Sequence, residues 1–243
     1  MGWFKLTKGS SLLRVRNLGV RPKTVFDVGV ATGTNGYYGA FDDVRYVLIE
    51  PLEESAPFMR QIVETYPGSI AIQAAAGSEA GEADFMISPK LSGSSFLLKR
   101  GSSIVRKVPV VTLDGVVHEH ALEGPFVIKL DVQGFELEVL KGAVRTLQQT
   151  DIVIAEASLW ADRKGRGMVK LVDLMAWLEQ HGFVLYDIAS LARRSLDAAM
   201  TELDLVFCPA DSPLRAVRAY STAEEVEALE QASRRNFGLA DRT

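Results

Sequence analysis

Short apolar runs alternate with amphipathic stretches along most of the chain, and this alternation predicts a layered α/β protein. The runs are rich in β-branched residues, as buried parallel strands are, and they lie at residues 25–30, 45–50, 69–76, 126–130 and 151–156. Between them, apolar residues recur at helical spacing at residues 53–66, from residue 135 onward, and at 169–181. Strands that alternate with helices predict a mostly parallel sheet.

Two regions depart from this alternation. Residues 82–87 and 105–111 predict an antiparallel pair, a small β insertion around a polar loop at residues 88–95. The runs at 183–188 and 203–207 predict a second antiparallel pair that closes the sheet, with residues 190–200 as the connection.

The pattern divides the 243 residues into three predicted parts. A basic arm at 1–23 precedes the α/β domain at 24–210, and a helical extension at 211–243 follows it. The arm contains no acidic residue and six basic ones, namely Lys5, Lys8, Arg14, Arg16, Arg21 and Lys23. Two interpretations stay open. The arm is a solvated helix or an arm packed on the sheet, or it is functional, as a substrate lid, as a contact with an anionic acceptor or as a peripheral contact with a membrane surface.

The stretch from Thr24 to Gly36 joins the first predicted strand to a glycine-rich turn and to a short helix predicted near residues 35–41. A strand, a glycine turn and a helix N-terminus together form nucleotide-type pockets. The spacing through Asp27, Gly29 and Gly33 is D-x-G-x-x-x-G, which differs from the G-x-G-x-x-G of dinucleotide-binding proteins. It resembles the first motif of class I S-adenosylmethionine (SAM) methyltransferases.

Glu50 ends the second predicted strand, at the distance of about 20 residues where a ribose-binding carboxylate is expected. The small residues Ala74–Gly77 end the third predicted strand, where they would leave room for an adenine ring, although close packing explains them equally well. An NAD-dependent oxidoreductase stays open as a weak alternative. Glu50 would suit the ribose of NAD as well.

The stretch from Phe126 onward is the second one that contains candidate functional residues. An apolar strand carries Lys129 and ends at Asp131, and the next strand ends at Glu156. Buried charges are costly unless they are paired or functional. Open α/β sheets bind their ligands at the carboxyl ends of strands, so these residues are candidates for a site.

Together these motifs resemble the FkbM-type SAM-dependent methyltransferases. The likeness covers roughly residues 24–190 and is most specific at Lys-Leu-Asp-Val-Gln-Gly-Phe-Glu, which runs from Lys129 to Glu136. The family commonly has Glu where this chain has Gln133, so we assign Gln133 no catalytic role.

The resemblance implies a Rossmann-like class I sheet and O-methylation of a sugar hydroxyl on a glycan, glycolipid or lipo-oligosaccharide. Bacterial nodulation signals belong to this acceptor class, and polyketides or other secondary metabolites are the alternative. The implied cofactor is SAM, and the residues implied to bind it are Asp27, Gly29, Ala31, Thr32, Gly33, Asn35, Glu50, Pro51, Ala75, Ala76 and Asp131.

Methyl transfer from a sulfonium to a hydroxyl needs an oriented oxygen and a base that accepts its proton. Asp131 is the candidate base, and Lys129 is expected to keep it ionised; a purely structural pairing or helix-capping role for Asp131 is the alternative. Glu136 and Glu156 are candidates for substrate binding, for the base or for holding a cation. Asp131 with Glu156 also gives a hypothesis of Mg²⁺ binding.

The composition excludes several classes of protein. A net charge of −4 argues against a nucleic-acid partner bound over the whole surface. The single Cys208 excludes an intramolecular disulfide and a cysteine-based zinc site, and we interpret His118 and His120 as surface residues and not as metal ligands. The chain has neither a membrane-length apolar run nor a signal-peptide core, so we expect a cytoplasmic protein.

Rival functions are weakened by missing motifs. Asp131 is not followed by the Pro-Pro-Tyr or Pro-Pro-Phe of many amino-group methyltransferases, and no P-loop motif occurs. A non-catalytic SAM-binding interaction protein is the rival from another class, and an inert Asp131 would favour it.

Overall fold

The computed structural model describes residues 7–33, 36–87, 104–159, 170–217, 219 and 221–237. For residues 234–237 it describes the backbone alone. The strands are β1 (Thr24–Val28), β2 (Arg45–Ile49), β3 (Ile70–Ile72), β4 (Ala75–Ala76), β5 (Gly81–Ile87), β6 (Ile104–Val111), β7 (Phe126–Leu130), β8 (Thr150–Ser158), β9 (Phe183–Arg193) and β10 (Met200–Pro209). The α-helices are α1 (Lys8–Asn17), α2 (Ala56–Thr65), α3 (Leu113–Glu119), α4 (Glu136–Lys141), α5 (Val144–Leu147), α6 (Leu171–Gln180) and α7 (Ala223–Phe237).

The main sheet has seven strands in the order β3-β2-β1-β7-β8-β10-β9. All pairs from β3 to β8 are parallel, whereas β10 lies antiparallel to both β8 and β9. The chain order reverses between β1 and β7, and open α/β sheets bind ligands at such a switch point. The predicted α/β class, mostly parallel with an antiparallel C-terminal strand, is confirmed.

A second sheet has the order β4-β6-β5, and its antiparallel β5–β6 pair confirms the predicted β insertion. The polar loop predicted at 88–95 lies outside the described residues. The single strand predicted at 69–76 was wrong, because β3 belongs to the main sheet and β4 to the second one. The Gln73 side chain explains the break: its Nε2 donates to the Glu50 carbonyl at 3.0 Å, while the Ala74 N–H turns back to the Ile72 carbonyl at 3.0 Å.

The helix predicted near residues 35–41 was also wrong, since the described residues 36–43 form turns. Gly36 and Gly39 have left-handed φ angles of +72° and +80°, which a right-handed helix does not accommodate. Tyrosine hydroxyls hold this connection: that of Tyr37 donates to the Phe26 carbonyl at 2.9 Å, and that of Tyr46 accepts from the Gly39 N–H at 2.9 Å.

The connection predicted at 190–200 is shorter than expected. Strands β9 and β10 pair from Arg193 and Met200 inward, and the Arg194 N–H closes the turn by donating to the Ala199 carbonyl at 3.0 Å. The hairpin therefore extends beyond the apolar run from which the strands were predicted.

The two faces of β1 and β7 differ in chemistry, because successive side chains of a strand point to opposite faces. Phe26, Val28 and Ile128 belong to a core cluster with residues of α3, α4 and α6. Asp27 and Lys129 alternate with these core residues and are register partners on adjacent strands. A buried charge pair thus lies on the face opposite this core.

Helix α1 shows that the arm contains the predicted packed helix. Thr7 caps it, with its side chain accepting from the Ser10 N–H at 3.1 Å, and Leu12 and Val15 are buried. The helix packs against β9, and Gly9 lies so close to Gly36 that an added Cβ would be 2.2 Å from the Gly36 carbonyl oxygen. The apolar residues of α1 therefore contribute to the fold.

The chain divides between Ser212 and Pro213 into two compact units. In the second unit, Thr222 and Glu225 form a reciprocal capping box at the start of α7, and the described side chains of this helix are exposed. The predicted domain boundaries stay a prediction. Across the described parts of the chain, the helices offer no apolar stretch that would reach through a membrane.

Candidate active site

A buried ion pair lies at the switch point of the sheet. The Lys129 Nζ atom is 2.7 Å from Asp27 Oδ1 and donates to the Gly29 carbonyl at 2.8 Å. Asp27 and Lys129 are 0% and 1% exposed, and the Tyr38 hydroxyl donates to the other Asp27 oxygen. Asp27 is thus fully enclosed, which favours a structural role beneath the glycine turn over a direct contact with a ligand.

Glu50 follows β2 and is 4% exposed. Its Oε2 accepts from the Ala31 N–H at 2.9 Å and its Oε1 from the Leu52 N–H at 3.1 Å. Burial raises the pKa of Glu50, while the two backbone donors oppose that rise. A carboxylate accepts about four hydrogen bonds, so Glu50 holds the glycine turn and keeps acceptor capacity for a further ligand.

Gly29 has a φ of +80°, and a Cβ at this position would lie 2.0 Å from the Asp131 carbonyl oxygen. The end of β1 thus packs directly on the end of β7, and this close approach is by itself sufficient to require glycine.

Asp131 lies in a network of charged and polar groups after β7. Its Oδ2 is 2.8 Å from Lys8 Nζ and 3.8 Å from Lys129 Nζ. The Gln133 amide bridges the two acids, donating to Asp131 Oδ1 at 3.2 Å and to Glu156 Oε2 at 3.0 Å. The carboxyl groups of Asp131 and Glu156 also hydrogen-bond to each other.

The two acids of this pair differ in charge. Burial on its own raises the pKa of Asp131, but Lys129 and Lys8 outweigh burial and hold that pKa below its usual range. Burial and the neighbouring Asp131 charge raise the pKa of Glu156 well above its usual range. Near neutral pH the pair therefore consists of an Asp131 carboxylate and a protonated Glu156, the arrangement typical of acids that share a site.

Glu136 is 1% exposed and lies beneath this network. Its Oε1 accepts from the Val132 N–H at 3.1 Å and the Gly134 N–H at 3.2 Å. Burial raises the pKa of Glu136 to about 7, against the opposing effect of its backbone donors. These contacts favour a role in holding the loop after Asp131 over contact with a substrate.

A cavity of about 240 Å³ opens beside Asp131. Its neutral polar lining includes Gln133 and Ser190, and its ionisable lining consists of Lys8, Asp131, Glu156, Glu202 and Asp204. Lys8 is the only cation among the described lining residues, and it contacts Asp131 and, at 3.1 Å, Asp204 Oδ1. The cavity thus presents mainly carboxyl and neutral hydrogen-bonding groups.

The other described residues predicted to bind the cofactor lie on the glycine turn, directly after Glu50, and in β4. Gly33 is left-handed with φ +89° and Thr32 is exposed on the same turn, Pro51 is half-buried after Glu50, and Asn35 lies outside the described residues. Ala75 and Ala76 are buried in β4, which pairs with β6. The roles of these residues in binding SAM stay predictions.

The Mg²⁺ hypothesis gains no support. Among the residues that the structure describes, no group of three or more His, Cys, Asp or Glu side chains is arranged to hold a metal ion. Asp131 and Glu156 instead have Lys8 and Gln133 as partners.

Sequence reasoning missed three residues of the network. Lys8 was assigned only to the basic arm, because its 123-residue separation from Asp131 gives no local signal. Gln133 could have been recognised from the replacement of the family's common Glu by Gln. A Glu here would place a third carboxylate against Asp131 and Glu156, whereas the amide donates to both. Asp204, which binds Lys8 and accepts from the Ser190 hydroxyl, is in a strand predicted only as apolar.

The family model of the Methyltransferase FkbM domain matches residues 27–185. The chain belongs to the FkbM methyltransferase family. The match begins at the buried Asp27 and includes Glu50, Asp131 and Glu156, so most of the network described above belongs to the FkbM domain. Lys8 lies outside it.

The FkbM chain is also similar to a curated protein, the hexuronic acid methyltransferase AglP of Haloferax volcanii. The two are 28% identical over 141 residues, which are 58% of this chain and 58% of the relative. The chain thus spans less than two thirds of the length of the curated relative that it matches.

Two solved structures illustrate the similarity to other methyltransferases. The N-methyltransferase NodS of Bradyrhizobium japonicum WM9 is 10% identical, with 83% of this chain and 94% of that chain covered at a TM-score of 0.46. The precorrin-6y C5,15-methyltransferase of Geobacter metallireducens GS-15 is 13% identical, with 85% and 91% covered at a TM-score of 0.42. We draw nothing about fold or function from either likeness.

Proposed function

We propose that the chain is a SAM-dependent O-methyltransferase that methylates a hydroxyl of a sugar on a glycan, glycolipid or lipo-oligosaccharide. Membership of the FkbM family supports methyl transfer. The observation that carries the proposal is the ionised Asp131 in the wall of a polar cavity at the carboxyl end of β7. This is where an open α/β sheet exposes its reacting groups.

The residues present fit SAM in chemistry. Glu50 is a buried carboxylate at the end of β2 with spare acceptor capacity for ribose hydroxyls, and the turn at Gly29–Gly33 is held against it through the Ala31 N–H. When bound, SAM supplies an electrophilic methyl group on a sulfonium. Glu50 would hold the ribose, while Asp27 and Lys129 would support the turn from below.

The chain's own residues would orient the acceptor and move its proton. The acceptor hydroxyl donates to an Asp131 carboxylate oxygen, which takes the proton as the new carbon–oxygen bond forms. Glu156 keeps its proton and donates a hydrogen bond to Asp131, and Gln133 fixes both carboxyl groups. Because one acid is ionised and the other protonated, the pair accepts one proton without first losing one.

The cavity lining supports a neutral sugar at the reacting position. Among the described lining residues, a hexuronate carboxylate, the group in the substrate name of the Haloferax relative, would face Asp131, Glu202 and Asp204. The cation among those described residues is Lys8, which already binds two carboxylates. Like charges so close in a partly buried site are unfavourable. Neutral hydroxyls would instead donate to the carboxylates.

The membrane or anionic-acceptor contact of the basic arm stays a hypothesis. The described cations of the arm contact acidic side chains or backbone carbonyls of the chain itself: Lys8, Arg14, Arg16, Arg21 and Lys23. Their charges are thus largely compensated, which lends that contact no support.

The test is methyl transfer from isotopically labelled SAM to a panel of neutral glycosides, hexuronates, lipo-oligosaccharides of the nodulation type and polyketides. We expect label on a sugar oxygen, with neutral glycosides preferred over the matching hexuronates. Calorimetry should show binding of SAM and its demethylated product but not of NAD. NAD binding without SAM binding, or label on nitrogen alone, would contradict the proposal.

A further inference from the structure

Lys8 is the one described side chain of α1 that enters the Asp131 network. Its Nζ lies 2.8 Å from Asp131 Oδ2 and 3.1 Å from Asp204 Oδ1. Its side chain is 15% exposed, so its charge is only weakly screened by solvent. An ion pair this short and this enclosed differs from the exposed pair of Lys23 with Glu123 in the same arm.

The position of Lys8 is fixed by the docking of α1. Thr7 caps the helix directly before Lys8, Gly9 packs against the Gly36 backbone, and Leu12 and Val15 are buried one and two turns further along. Lys8 therefore reaches Asp131 only while α1 lies on the domain.

Asp131 faces charged groups from every element packed around it. The acids are Glu156 on β8, Asp204 and Glu202 on β10, Glu136 on α4 and Asp27 on β1. In the described part of the chain, the cations are Lys129 and Lys8. Lys129 is 3.8 Å from Asp131 but only 2.7 Å from Asp27, so Lys8 is the nearest to Asp131 of these two described cations.

We propose that Lys8 is a positioning residue of the methyl-transfer site, supplied by α1, which holds the Asp131 carboxylate ionised and fixes its Oδ2. The site is then complete only with α1 docked, and the arm belongs to the active site although it lies outside the FkbM domain. This inference rests on the proposed function.

The direction of the pH effect follows from the charges. Lys8 and Lys129 hold the pKa of Asp131 below its usual range against burial. Removal of Lys8 leaves burial and the surrounding acids in place, so the Asp131 pKa rises. A base must be unprotonated to accept a proton, and each unit by which the new pKa exceeds the assay pH costs about tenfold in rate.

The experiment compares kcat against pH for the full chain, Lys8→Met, Lys8→Arg and the control Lys23→Met, each with saturating SAM and the best acceptor of the panel. For Lys8→Met we expect an acid limb shifted upward by about 1–3 pH units, the effect of one opposite charge at this distance, so that the loss of rate relative to the parent grows as the pH falls and is smallest at pH 8.5. Lys8→Arg should restore the limb, and Lys23→Met should match the parent. SAM affinity should be unchanged throughout.

A second readout separates this inference from the proposed function. In protein with ¹³C-labelled aspartate, the Asp131 carboxyl signal, identified by its absence in Asp131→Asn, should titrate at a higher pH in Lys8→Met than in the parent. If the parent makes no methylated product, the proposed function fails while this titration still tests Lys8. An unshifted acid limb and an Asp131 titration at the parent's pH in a folded Lys8→Met protein would overturn the inference.

Discussion

Replacing Lys129 by Met should strongly destabilise the fold, because the change removes the buried cation that pairs with the enclosed Asp27 and leaves the Tyr38 hydroxyl as its remaining side-chain partner among the described residues. At 2.7 Å, an effective dielectric constant of about 20 gives an attraction of about 6 kcal/mol before desolvation offsets it. Removing one partner of a buried pair costs about 3–5 kcal/mol. We therefore expect Lys129→Met to lower the free energy of unfolding by that amount in urea denaturation followed by circular dichroism.

The matched control is the double variant Asp27→Asn/Lys129→Met, which removes the orphaned charge. It should recover at least about 2 kcal/mol of the loss, since an uncharged amide is less costly to bury than a carboxylate. A cost for Lys129→Met below about 1 kcal/mol, the level of an exposed pair, would refute this reasoning. So would a double variant no more stable than the single one.

Three further predictions concern neighbouring residues. Gly29→Ala should unfold the protein or lower its melting temperature far more than Gly33→Ala. An added Cβ would lie 2.0 Å from the Asp131 backbone at Gly29, but 3.7 Å from the Tyr38 ring at Gly33. Equal melting temperatures of the two variants would contradict this. Burial raises the pKa of Glu136 from 4.5 to about 7. Between these pH values the folded protein keeps a proton on Glu136 that the unfolded chain releases. The stability that this proton contributes is therefore lost as the pH rises from 4.5 through 7. In urea titrations at several pH values, Glu136→Gln should therefore lose less stability than the parent over that window, and parallel curves would count against it. Glu50→Gln should weaken SAM binding by about tenfold or more in calorimetry, because hydrogen bonds to a charged acceptor are lost, whereas the exposed Glu53→Gln should bind like the parent.

The central strands were predictable because a nearly continuous apolar run is the pattern of a strand buried on both faces. Strands β1 and β7 are buried in this way. Their charged residues were recognisable for the same reason, since Asp27 and Lys129 interrupt those runs. That the two pair with each other is a matter of register, Asp27 beside Lys129, and no local pattern reports it.

The errors also have physical causes. The helix after the glycine turn was expected by analogy with nucleotide-binding proteins, but two left-handed glycines and the Tyr37 and Tyr46 hydroxyls stabilise turns there. The split between β3 and β4 depends on one side chain, Gln73, replacing a backbone donor. Lys8 reaches Asp131 across 123 residues, and only the tertiary structure brings them together.

The most direct test of the account is the single-turnover rate of Asp131→Asn with labelled SAM and the acceptor identified by the panel. The amide keeps the shape of the side chain and removes its basicity, so we expect a loss of about 10²-fold or more with SAM affinity unchanged and the protein still folded. Glu156→Gln should lose less, because Glu156 already carries a proton. A rate for Asp131→Asn close to that of the parent would contradict the account and make Asp131 a structural residue.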